Sequence, residues 1–261
     1  MKHMKLASSH LIAAALLFSL GATARAQLID FGAPVNISVG NASDIATNGT
    51  YVDALHTDNT SSSAIDVLNP TTLISTEFNP YSVFSTTVGS RPNNVYGDST
   101  FTINADGDSG GDGSGSSATP YQAILNGSTY VNYPPVAPAI TGTVTMSGLT
   151  PGAEYQVQVW ASDGGRPTIY SSEDSVTMNS PFNGTGQYVI GTFIAPAAIG
   201  DATTSSEYFT YQPGDLSIDV PAGEINAISL RELPEPSTYA MLLAGMAVVG
   251  LCVRRKLALQ S

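Results

Sequence analysis

Few residues in this sequence have the types and spacing to do chemistry. Nucleophilic hydrolysis needs a histidine oriented by an acid and a serine presented on a sharp strand-to-helix turn. His56, near Asp53 and Asp58, is the one histidine beyond residue 26. No strand–turn–helix elbow accompanies it, and it reads as a loop residue. Paired carboxylates for glycoside hydrolysis depend on a separation that linear order does not set. Most acids here fall in polar, Gly-rich stretches and read as solvated. Asp106, Asp108 and Asp112 are oxygen donors of the kind calcium takes. Their spacing departs from an EF-hand loop, since the third acidic position is missing and no glutamate closes it. Calcium is thus the one candidate cofactor, weighed against a flexible acidic insertion at 106–117 that holds no metal. For sugar recognition, Trp160, Gln156 and Gln158 share one side of a strand by alternation. An indole there could stack on a pyranose while the amides bond its hydroxyls. Arg166, after Asp163-Gly164-Gly165, could reach the same rim. Against this, Trp160 reads as a core aromatic or one packed under a loop, and Arg166 as half of a surface ion pair.

The elements that must position these residues are strands. Residues 154–162 alternate Tyr155, Val157, Val159 and Ala161 with Gln156, Gln158, Trp160 and Ser162, the period of a strand. A Leu149-Thr150-Pro151-Gly152 turn precedes them. Before the turn, 140–146 alternates threonine with apolar residues, so the two runs read as a hairpin-like pair. Further strands are expected at 28–31, 82–88, 99–103, 187–194, 216–220 and 225–230. Many short strands with Gly- and Pro-rich connections predict an all-β fold, a single jelly-roll-like β-sandwich over 27–232. Residues 133–138 form a second irregular connector.

The two ends differ from this domain. Lys2 and Lys5 precede an apolar stretch at 11–20, and Ala24-Arg25-Ala26 follows. This is the order of a signal peptide, a helix within 1–26 removed so that the mature chain begins near Gln27. At the other end, Pro234-Glu235-Pro236 precedes Ser237, which suits a helix N-cap. Residues 238–253 are apolar all round, unlike a core helix with its polar stripe. Their 16 residues make about 24 Å of helix at 1.5 Å per residue, against a hydrocarbon core of about 30 Å. A transmembrane helix there spans only marginally. Arg254, Arg255 and Lys256 form a basic membrane stop, held on the cytoplasmic side.

Charge narrows the function classes. The chain has 9 Lys and Arg against 21 Asp and Glu, a net charge of −12. Six of the nine cations lie in the two ends, which leaves Arg91, Arg166 and Arg231 in the domain. Nucleic acid is excluded as a partner, since its binding needs clustered cations. The field also disfavours anionic membranes. Cys252 is the only cysteine, so the domain needs no disulfides. Within the apolar run, Cys252 reads either as a lipidation site or as a chance small residue.

The order Pro234-Glu235-Pro236-Ser237, short apolar helix and Arg-rich end resembles the PEP-CTERM sorting signal of Gram-negative bacteria, over about 233–256. The resemblance implies that Pro234, Glu235 and Pro236 are substrate for an exosortase, a membrane enzyme linked to exopolysaccharide export. Cleavage at or near the tripeptide would release the domain from a transient inner-membrane anchor. Signal peptidase would act at the other end. A second resemblance rests on Ile29-Asp30-Phe31-Gly32, on 148–160 with Trp160 at its end, on Gly186 to Phe193, and on Ile225 to Arg231. These look like galactose-binding-like β-sandwich domains of exported bacterial proteins, and they imply a fold more than a ligand. Together the residues predict an exported, non-catalytic protein of the cell surface, outer membrane or extracellular matrix, with weak affinity for extracellular polysaccharide as one option. The alternative is a secreted polysaccharide-active hydrolase or lyase on the same sandwich.

Overall fold

Alternation of apolar and polar residues, punctuated by Gly, Pro and Asn, produces short strands throughout. The structure is a computed structural model that describes residues 29–38, 41–57, 63–80, 82–88, 91–97, 100–106, 119–126, 129–130, 142–162, 168–171, 174–178, 186–195, 216–220 and 224–235. In chain order the strands are β1 (Asp30–Phe31), β2 (Val35–Asn36), β3 (Thr50–His56), β4 (Ile65–Leu68), β5 (Ser75–Pro80), β6 (Ser82–Val88), β7 (Arg91–Gly97), β8 (Phe101–Asp106), β9 (Thr129–Tyr130), β10 (Gly142–Met146), β11 (Glu154–Ala161), β12 (Thr168–Ser171), β13 (Asp174–Thr177), β14 (Gln187–Ile194), β15 (Leu216–Val220), β16 (Glu224–Ile225) and β17 (Ala227–Glu232). One 3₁₀ turn (Ala42–Asp44) and one short helix, α1 (Pro120–Asn126), accompany them.

The expected all-β character holds. One sheet runs β1-β14-β11-β17-β3-β5-β4, with β2 also on β14, and a second runs β13-β12-β15-β10-β8-β7-β6. β16 and β9 form a separate pair. The first sheet is mixed, because β3 and β5 run parallel.

The two sheets share one core. Tyr155, Val157 and Val159 of β11 and Ile228 and Leu230 of β17 meet Phe101 of β8 and Val144 and Met146 of β10. The opposite face of the first sheet carries a second core. There Trp160, Ala227, Ala54 and Phe78 lie under Ile45, Tyr121 and Ile124, so the 3₁₀ segment and α1 roof that face. Phe78 meets Trp160 edge-on, with ring centroids 5.7 Å apart, a favoured aromatic geometry.

One expectation is corrected. β10 and β11 do not pair as a hairpin; they lie in different sheets. Gly148 and Gly152 adopt φ of 74° and 83°, which an L side chain resists. The Thr150 N–H is capped by the Tyr155 hydroxyl at 2.9 Å, and Leu149 turns into the shared core. The turn is therefore an arch between sheets. Its two flanking strands point their apolar residues at the same core from opposite sides, which produces the same alternation that a hairpin would.

No helix among the described residues is long and apolar enough to cross a membrane. The expected signal helix in 1–26, the expected transmembrane helix at 238–253 and the connector at 133–138 lie outside the described residues.

Candidate functional site

The C-terminal end of β17 is where the domain hands over to the tail. β17 is flanked on both sides, by β11 and by β3. At its end Glu232 lies opposite Tyr155 on one side and Thr50 on the other. The next residue is still fixed, because the Leu233 N–H donates to the Glu154 carbonyl at 2.7 Å. Gly49 closes the other side. Its φ is 80°, and a Cβ there would stand 2.3 Å from the Glu232 carbonyl oxygen. Pro234 has no N–H to continue the ladder, so pairing stops. Pro234 and Glu235 are exposed. Proline fixes its own φ, and the residue before a proline is held extended. Pro234 and Glu235, the latter preceding Pro236, are thus biased to the extended form in which processing enzymes take peptides.

Residues 232–256 match the PEP-CTERM protein-sorting motif. The match begins on the last residue of β17 and takes in the tripeptide. It indicates an exported protein that passes the membrane of a Gram-negative bacterium and is sorted by an exosortase. Beyond this motif, no curated protein and no solved structure matches the chain. Pro236, Arg254, Arg255 and Lys256, and likewise Ala24, Ala26 and Gln27, lie outside the described residues.

The residues considered for sugar binding sit on one face of β11, as alternation implies, but that face is roofed. Trp160 is 0% exposed. Gln158 is buried, and its amide is spent on the chain that covers it. Its Oε1 accepts from the Ala46 N–H at 2.8 Å, and its Nε2 donates to the Asp44 carbonyl at 2.7 Å. Gln156 is half-buried. Gln158 holds the 44–46 segment down, and Trp160 packs against Ile45 beneath it, so neither is presented to an outside ligand. Arg166 lies outside the described residues.

Arg231 takes a role that no pattern in the sequence assigns to it. It lies opposite Gln156 on β11 and Tyr51 on β3, and it is buried. The parallel β3–β5 ladder contains only Leu55–Asn79 and His56–Pro80, so the two strands lack that ladder near the exit. Arg231 bridges the opening. Its Nη2 donates to Thr76 Oγ1 at 2.8 Å, its Nη1 to the Gly49 carbonyl at 3.4 Å, and its guanidinium lies 5.8 Å from the Tyr51 ring centroid. The Tyr51 hydroxyl donates to the Glu77 carbonyl at 2.5 Å. Burial lowers the Arg231 pKa and the Tyr51 phenol opposes that shift. Composition marked Arg231 as one of three domain cations, but no sequence signal marks the wedge it fills.

The residues considered for catalysis are held within the fold. His56 is buried, with Nε2 3.3 Å from the Ser63 carbonyl. Asp53 Oδ1 accepts from the Ala54 N–H at 2.8 Å and from Asn79 Nδ2 at 3.0 Å. Asp58 lies outside the described residues. Of the calcium candidates, Asp106 ends β8 opposite Asn93. Asp108 and Asp112 lie outside the described residues. Among the described residues, no three His, Cys, Asp or Glu side chains group as metal ligands.

The roof of the second core is pinned by Asp44. Its Oδ2 accepts from the Ser38 N–H at 2.7 Å and from the Tyr121 hydroxyl at 3.3 Å. Burial, and then the Asp44 charge, push the Tyr121 phenol well above its usual range, and the Trp160 indole N–H opposes them. That N–H completes no hydrogen bond of standard geometry, so its contribution to the roof is slight. The same two causes raise Tyr188.

Two outcomes follow for the described fold. In the native state Tyr121 keeps its proton where the unfolded chain releases it, near pH 10. The unfolded state then binds fewer protons, so the Tyr121 contribution falls as pH rises above about 10. Urea titrations across that range should show a shallower alkaline loss for Tyr121→Phe, with Tyr188 retaining part of the slope; an unchanged slope would contradict the buried phenol. Gly49→Ala forces a Cβ into the Glu232 carbonyl at positive φ. It should cost about 1–3 kcal/mol and speed amide exchange at Leu233, and wild-type exchange there would count against the close approach.

Proposed function

We propose that the chain is the precursor of a non-catalytic surface or matrix protein, released from a temporary membrane anchor by cleavage at or near Pro234–Pro236. One observation carries the reading. The exposed Pro234 and Glu235 follow a central strand after the single residue Leu233, inside the segment that matches the sorting motif. The tripeptide is substrate in this account, and the domain is cargo. After release it resides at the cell surface or in the extracellular polysaccharide matrix. The non-catalytic part is supported by the internal use of His56 and Asp53. Affinity for a polysaccharide, in keeping with the galactose-binding-like resemblance, would use a surface other than Trp160, which is buried.

Changing Pro234, Glu235 and Pro236 together to alanine tests the reading in the native host. The uncut precursor should accumulate in the membrane fraction at full tail length, with the domain still folded. Release of that variant at the wild-type rate would show that the tripeptide is not the processing signal.

A further inference from the structure

The large exposed apolar side chains are not scattered evenly. Leu68, Leu73, Ile74 and Ile194 are 54%, 74%, 42% and 50% exposed, and strand register places all four at one end of the first sheet. Ile194 ends β14 opposite Glu154. On the next ladder Tyr155 lies opposite Glu232, and Glu232 lies opposite Thr50. β5 runs parallel to β3 with Asn79 beside Leu55, so Ser75 starts level with Tyr51. The Arg231–Thr76 and Tyr51–Glu77 bonds tie those levels together. Leu68 closes β4 opposite Ser75, and Leu73 and Ile74 complete the turn between them. Leu73 is held there at φ 59°, a backbone state costly for a non-glycine residue. Val35, by contrast, lies opposite Tyr188, near the far end of β14.

This apolar rim is also the end from which the chain leaves. The exit strand β17 stands two strands from β14 and three from β4. At about 4.8 Å per strand, the rim reaches roughly 10 Å to one side of the exit and 14 Å to the other. The tail is short. Thr238, where the apolar run begins, is five residues beyond Leu233, a span of at most about 18 Å. The headgroup layer takes up several ångströms of that. A domain tethered so closely by the middle of this rim brings one side or the other into the headgroups with a modest tilt.

We propose that this rim is a membrane-docking edge, on which the precursor rests against a zwitterionic lipid surface until its tail is cut. The proposal rests on the membrane-tether reading above. Tilting one way buries Leu68, Leu73 and Ile74 among headgroups and upper acyl chains, and tilting the other way buries Ile194; either removes apolar area from water. Glu154, Glu232 and Glu235 stand at the same rim and set the preference for lipid without net charge. Docking then fixes the height of Pro234 and Glu235 above the bilayer, close to where a membrane-embedded processing enzyme works. Once the tail is cut, four side chains on a sheet edge hold the domain too weakly to retain it, and it leaves.

The full chain reconstituted into phosphatidylcholine–phosphatidylethanolamine vesicles tests this. Leu73→Cys, Ile194→Cys and Val35→Cys are each made on Cys252→Ser, labelled with an environment-sensitive fluorophore, and exposed to headgroup-region nitroxide lipid. Buried emission from Trp160, the single tryptophan, confirms that each variant is folded. With the protein floating on the vesicles, labels at 73 and 194 should be quenched several-fold more than the label at 35. Equal quenching at 35 and 73 on floating protein overturns the docking edge while leaving the tether intact. Label changes at 73 that follow protein-to-lipid ratio, without nitroxide quenching, assign the rim to a second copy and overturn the lipid. Protein that fails to float overturns the tether reading itself, and the docking edge with it.

Discussion

The structure depends on the pairing of β17 along both of its edges. β17 buries Ala227, Ile228 and Leu230 and divides its outward and inward faces between the two cores. A central strand like this cannot be withdrawn without opening the sheet, since ladder bonds on two sides and two cores go with it. The last paired residues, Glu232 and Leu233, lie directly before the sorting tripeptide. The domain and the sorting tail therefore meet without a spacer, and Pro234 is the physical stop, because it lacks the donor that another ladder bond would need.

The outward face of the same sheet shows how an exported acidic domain spends its polar residues. Gln158 clamps the 44–46 segment with both ends of its amide. Asn69 Nδ2 donates to the Ile45 carbonyl at 2.9 Å and holds the same segment from β4's side. Arg231 closes the wedge between β3 and β5. A buried guanidinium costs desolvation, which its lowered pKa registers, and truncating it would strand the Gly49 carbonyl and Thr76 hydroxyl. The position of Arg231 beside the exit gives that cost a purpose. It holds Gly49 against Glu232 at the place where the parallel ladder is absent, so the strand that bears the tail is fixed to its end.

Much of this was legible in the sequence where a single rule operates. Strands at 82–88, 187–194 and 216–220 have the bounds read from alternation, and β11 differs from its reading by one residue. β3 was not read. Asp53 and His56 interrupt its apolar pattern, and only tertiary partners such as Asn79 make them tolerable in a central strand. α1 has seven residues, too few to show a helical period. Alternation put Trp160 and Gln158 on the correct face. It could not show that the 3₁₀ segment and α1 cover that face, since the roof comes from residues far away in the chain. The arch at 148–152 resembles a hairpin in sequence, because one pattern of apolar residues serves both geometries. The tail was legible from residue order alone, since an enzyme reads it as a peptide and no fold is needed to assemble it. The apolar rim is invisible in the sequence for the opposite reason, because Leu68, Leu73 and Ile194 come to one end of the sheet only through register.

The central claim is that the tail is cut where the last strand ends, and the C-terminal mass of the protein released by its native host tests it most directly. The account predicts a mature C-terminus within 233–236, on a domain whose β17 is whole. A released protein that ends inside β17, or that keeps Arg254, Arg255 and Lys256, would contradict it.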